Sequence, residues 1–169
     1  ISQEDLEING HSLEIRVYAE DPQNDFLPDI GNLEVYKIPQ GQNVRVDHAL
    51  EEGMDIPIYY DPMISKLIVH AETRDLAINK MIKAIDDYDI VGVKTTLPFC
   101  KFAIDHKAFR SGDFDTRFVD LYFSDTNIIN PSEEAINSSV VGLYHLSKLG
   151  QISDDSLPSK TTDWKKNRV

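Results

Sequence analysis

From His11 to Glu20 the chain alternates strictly. Leu13, Ile15, Val17 and Ala19 fall on one face, and Ser12, Glu14, Arg16, Tyr18 and Glu20 on the other. A period of two is the signature of a half-buried strand, and the Asp21-Pro22 pair marks its end as a turn. Leu33 to Ile38, Val44 to Asp47 and Ile64 to Glu72 repeat the pattern, with turn signals at Pro28 to Gly31, Pro39 to Gly41, Gly53 and Asp61-Pro62. The period then changes. Thr73 is placed to cap a helix running to about Tyr88, with Leu76, Ile78, Met81, Ile82 and Ile85 inward. Ile90 to Lys94 reads as a short strand, and Thr96, with Pro98 near N2, opens a second helix over Leu97 to Asp105. Strands first and helices after predict an α+β fold, with helices laid on an antiparallel sheet.

Past Phe123 the texture becomes polar. Asn130-Pro131-Ser132-Glu133 reads as an N-cap, a proline at N1 and an early acid, opening a helix to about Leu149. Ser, Asp, Thr and Lys without periodicity follow, the composition of a linker. The expected organisation is therefore a domain over 1–125, a helical appendage over 126–150 and a linker over 151–169 toward a downstream region.

Composition narrows the function. A net charge of −12 argues against nucleic acid and anionic membrane surfaces as partners. No apolar run approaches the length of a transmembrane helix, no signal peptide is present, and the first residue is Ile1. A soluble, cytoplasmic piece of a longer polypeptide is the expectation. Cys100 is the only cysteine and stands among Leu97, Phe99 and Phe102, as a small buried hydrophobe would. The five histidines are dispersed, and no glycine-rich phosphate loop, H-E-x-x-H or G-x-S-x-G occurs. Neither a metal site nor a complete enzyme is expected from these residues.

Chemistry concentrates on Arg16, a guanidinium flanked by Glu14, Tyr18 and Glu20 on the polar strand face. Arginine's rigid fork of donors suits an anion or a developing oxyanion. On the residues alone, a solvated strand face with a cross-strand ion pair to Glu14, Glu20 or Asp61 is the better explanation. His11–Pro22, Phe26-Leu27-Pro28, Tyr59-Tyr60-Asp61-Pro62-Met63-Ile64-Ser65-Lys66-Leu67, Ile90–Thr96 and Phe109-Arg110-Ser111-Gly112 together resemble the C-terminal subdomain of biotin carboxylase. That subdomain is part of the biotin-dependent acyl-CoA and pyruvate carboxylases. The resemblance runs over residues 5 to 123 in the family's order and near its spacing.

It implies the C-terminal portion of a biotin carboxylase, such as that of an acyl-CoA carboxylase α chain. In that reaction ATP and bicarbonate form carboxyphosphate, and CO2 passes to N1′ of biotin. Arg16 matches the family arginine over biotin's ureido oxygen and beside bicarbonate. Asp61 matches an aspartate that could orient that arginine, although an Asx turn explains it as well. Thr116 falls where the family's subdomain touches the adenine side of ATP, although packing is the better explanation of a threonine there. Arg45 falls at the family's dimer interface, where Gln42 replaces an aromatic residue of some bacterial members. Lys66, Lys94 and Glu14 are assigned to structure. Biotin is expected on another domain or subunit, and ATP with Mg2+ or Mn2+ mainly in the ATP-grasp part. The implied partners are the N-terminal and ATP-grasp parts of the parent, a biotin carboxyl carrier domain, a carboxyltransferase subunit and a second copy in a homodimer. A non-catalytic dimerisation or assembly module is the alternative reading.

Overall fold

β1 (His11–Tyr18) forms where the alternation is strictest, and its burial follows that alternation residue by residue. The computed structural model describes residues 1–57, 59, 61–124, 138 and 140–146. β1 pairs antiparallel with β6 (Met63–Ala71), which pairs in turn with β5 (Val44–His48), giving a three-stranded sheet of order β1-β6-β5. Two small ribbons complete the strand content. β2 (Glu20–Asp21) pairs with β3 (Leu27–Pro28), and β4 (Val35–Lys37) with β7 (Asp89–Val91). The α+β expectation holds, with the strands divided among three short antiparallel sheets. The predicted strands at 33–38 and 90–94 shrink to three residues each.

α1 (Arg74–Asp86) begins where predicted, and the Thr73 hydroxyl accepts the Leu76 amide. Ala77, Ile78, Met81, Ala84 and Ile85 are buried, and Met81, Ala84 and Ile85 join the core cluster formed with the main sheet's inner face. Leu76 is the exception to the predicted inner side, being 49% exposed; it falls off the stripe that residues 77, 78, 81, 84 and 85 form at helical spacing. α2 (Leu97–Asp105) has the predicted bounds. α3 (Lys107–Ser111) and α4 (Phe118–Tyr122) follow as single turns. Val17, Leu33, Leu67, Val69, Ile78 and Met81 are fully buried and form the centre of the core. Cys100 packs against this core, and burial pushes its thiol up to about 11, as suits an unreactive hydrophobe.

The chain divides into two units, Ile1–Ile128 and Ile129–Val169. In the second, residues 138 and 140–146 are helical. The remainder of the helix expected over 131–149, and all of the linker expected over 151–169, lie outside the described residues.

Candidate functional site

The outer face of the main sheet carries the charges that the inner face excludes. Register places Arg16 opposite Lys66, and Lys66 opposite Asp47; one step along, Glu14 faces Ile68, which faces Arg45. Arg16 is exposed, and among the described residues no carboxylate forms an ion pair with it. Its direct cross-strand neighbour is a second cation, a juxtaposition that ordinarily destabilises a sheet. The guanidinium nevertheless sits above its usual pKa. Hydrogen bonding and charge from Tyr18, two residues on along the same face, are the main cause, followed by the charges of Glu14 and Asp61. It is a fixed positive charge at every relevant pH.

Asp61 acts on Arg16 through its field, without a direct bond. Its Oδ1 accepts the Met63 amide at 3.0 Å, which is the Asx-turn geometry. Its charge and, more strongly, burial raise the pKa of Glu20. Asp61 therefore shapes the electrostatics of Arg16 and Glu20 together, while the turn fixes its own position.

Arg45 occupies the same outer face, two strands from Arg16. Its Nε and Nη2 donate to both oxygens of Asp47 at 2.7 Å, which raises the Arg45 pKa and lowers that of Asp47. Thr116 stands apart, exposed in the turn before α4. The structure thus brings Arg16, Asp61 and Arg45 into one sheet and its flanking turn, and leaves Thr116 on a separate element. Among the described residues no group of histidines, cysteines and acids is arranged to hold a metal ion.

Two features were missed in the sequence. Ser65, 2% exposed, lies in the core opposite Val17 and shares a hydrogen bond of 2.7 Å with the Tyr88 hydroxyl, which also bonds the Tyr36 hydroxyl at 2.9 Å. Burial drives the Tyr88 pKa far upward, so the phenol stays neutral. Thr96 opens α2 as expected, but its side chain makes no capping bond. No helix amide bonds its side chain; its hydroxyl turns to β1 instead, accepting the Tyr18 amide at 3.1 Å. The Thr95 hydroxyl takes the Leu97 amide at 3.4 Å. A Thr-Thr pair at a helix start shows no local sign of which hydroxyl will face the helix.

An antiparallel sheet with helices packed on it is the fold that the resemblance implies. The model of the biotin carboxylase C-terminal domain matches residues 14–121, and the chain belongs to that family. It is 45% identical over 151 residues to the 2-oxoglutarate carboxylase small subunit of Hydrogenobacter thermophilus, covering 85% of this chain and 31% of that protein. The mitochondrial propionyl-CoA carboxylase alpha chain of Caenorhabditis elegans is 38% identical over 157 residues, covering 89% of this chain and 22% of that one. Among solved structures, the biotin carboxylase domain dimer of the Hydrogenobacter thermophilus enzyme, in complex with MgADP, ADP and bicarbonate, superposes with a TM-score of 0.73 at 42% identity. That superposition covers 77% of this chain and 28% of that one. The chain therefore spans less than a third of the length of these relatives, and is a C-terminal portion of the biotin carboxylase unit.

Proposed function

We propose that this chain supplies the biotin- and bicarbonate-facing wall of an ATP-dependent carboxylation site, with Arg16 as its catalytic residue. The observation that carries this reading is the exposed guanidinium of Arg16, which forms no ion pair among the described residues and faces Lys66 on an open sheet face. Tyr18 hydrogen-bonds it, and without a directly paired carboxylate its charge is open to an anion. Bound biotin, borne by a carrier domain, would be carboxylated at N1′ after a base supplied by the bound reactants took its proton. Arg16 would supply fixed positive charge toward the ureido group. Because the charge is fixed before the reaction, it favours the transition state over the ground state. Tyr18, and more weakly Glu14 and Asp61, raise the guanidinium pKa further.

ATP and its Mg2+ or Mn2+ belong, in this reading, to the ATP-grasp part of the parent, since this chain has no phosphate loop and no described metal cluster. A carboxyltransferase subunit completes the reaction and selects the acceptor. In this reading the compartment is the cytoplasm. Among the described residues no helix is long and apolar enough to cross a membrane. Arg16→Gln in the full-length parent is the test. Turnover of biotin-dependent carboxylation is expected to fall by about two orders of magnitude, the usual effect of removing one preorganised donor, while KM for ATP changes little. Normal turnover in a well-folded variant would remove Arg16 from catalysis.

The outer face also supports self-association. Arg45 and Asp47 form an exposed, mutually neutralised pair beside half-buried Ile68, and we place a homodimer contact there. Arg45→Glu sets two acids side by side, and the parent's sedimentation is expected to shift toward monomer.

A further inference from the structure

We propose that Thr96 is a positioning residue for Arg16, its hydroxyl spliced into the open edge of the strand that carries the guanidinium. This rests on the reading of Arg16 as catalytic. Among the described residues β1 is an edge strand, paired only with β6. Its pairing also loses register between Val17 and Tyr18, one residue past Arg16, so β6 alone does not define the backbone beyond Val17. Thr96 does. Its amide donates to the Tyr18 carbonyl at 3.1 Å, and its hydroxyl accepts from the Tyr18 amide at 3.1 Å and donates to the Arg16 carbonyl at 3.3 Å. One residue thus satisfies three backbone groups of the two residues flanking Val17. It does so from a position only 6% exposed, where water cannot substitute and an unmet group is costly.

Thr96 is itself held on both sides. Ahead of it, the Lys94 amide donates to Asp29 at 2.5 Å and its ammonium to the nearly buried Asp21 at 2.6 Å. The loop enters through Gly92, at φ +107, where a Cβ would lie 2.0 Å from the Asn32 carbonyl oxygen. Behind it, the Thr96 carbonyl accepts the Cys100 amide at 2.8 Å as the first bond of α2. The segment 92–96 therefore anchors the edge of β1 to the body of the domain. Arginine reaches its target on a long side chain, so a small shift of the Arg16 backbone displaces the guanidinium, and catalytic groups tolerate only about 0.5 Å.

The test is a double-mutant cycle in the full-length carboxylase, with turnover, KM for ATP and melting temperature read together. Thr96→Val keeps the shape and removes both hydroxyl bonds; Thr96→Ser restores them. Thr96→Val is expected to lower kcat by about tenfold or more, the scale of a sub-ångström misplacement, with KM for ATP unchanged. Thr96→Ser is expected to stay within about threefold of the wild type, since both bonds are retained. In an Arg16→Gln background, Thr96→Val should cost nothing further. If Thr96→Val does not fold, the same cycle is run with Thr96→Cys, whose thiol is a weaker donor and acceptor of similar size. Full activity in the hydroxyl-less variant, or a loss that multiplies undiminished with that of Arg16→Gln, overturns the positioning role. Unimpaired turnover in Arg16→Gln alone instead overturns the catalytic reading beneath it.

Discussion

Arg16 and Lys66 lie side by side across two strands, and neither gains stability from the other. Removing one of two facing like charges should not weaken the sheet. Arg16→Gln is therefore expected to leave the melting temperature unchanged or slightly higher, even where turnover collapses; parallel losses of both would mark a structural arginine. Ser65 shows the opposite balance. Its hydroxyl is buried and depends on Tyr88, so Tyr88→Phe strands it and is expected to cost about 1–3 kcal/mol in denaturant unfolding. Ser65→Ala combined with Tyr88→Phe removes both partners, and should cost less than the sum of the single changes.

At the scale of elements, the segment between β7 and α2 does the work of a missing strand. Its outer tie is the Asp21–Lys94 ion pair, in which Asp21 is 12% exposed and Lys94 59%. The hydrogen bond from Lys94 holds the Asp21 pKa below the carboxylate range, with the Gln23 amide adding to it, and the same bond raises Lys94. A lowered acid stabilises the fold above its unfolded pKa, about 3.9, and that stability fades as pH falls through the lower folded value. A raised lysine stabilises it below about 10.4 and fades as pH rises through the higher folded value. The stability difference between wild type and Lys94→Met is thus expected to be flat from about pH 5 to 9 and to shrink only outside that window. A slope near pH 6 in that difference would show that another group is involved. On the core side, Met81 is fully buried in α1, and Met81→Ala is expected to cost about 2–5 kcal/mol by leaving a cavity beneath the sheet.

For the whole molecule, a fold can be in place while the reaction is not. The family's C-terminal domain is present, but these 169 residues contain no phosphate loop and span less than a third of the relatives described above. Purified alone, this chain is expected to show no bicarbonate-dependent ATP hydrolysis and no carboxylation of free biotin. Activity surviving repeated purification would mean that the catalytic elements lie within it. The two relatives differ in acceptor, one being a 2-oxoglutarate carboxylase subunit and the other a propionyl-CoA carboxylase chain.

Local pattern alone determined much of this protein. Alternation over 11–20 yielded β1 and its buried face, the cap at Thr73 set the start of α1, and Thr96 with Pro98 set the start of α2. These features depend on periodicity and on groups a few residues apart, which a chain carries along its own length. The place of Arg16 on the polar, exposed face of β1 was also legible, because alternation alone decides which residues share a strand face. Partnership was not. Whether Arg16 met a carboxylate or Lys66 depended on register with a strand some fifty residues away in the chain, and register is a property of paired strands. The destination of the Thr96 hydroxyl was hidden for the same reason. A threonine at a helix start can bond the helix or its surroundings, and only the arrival of an unpaired strand edge beside it decided in favour of Tyr18 and Arg16.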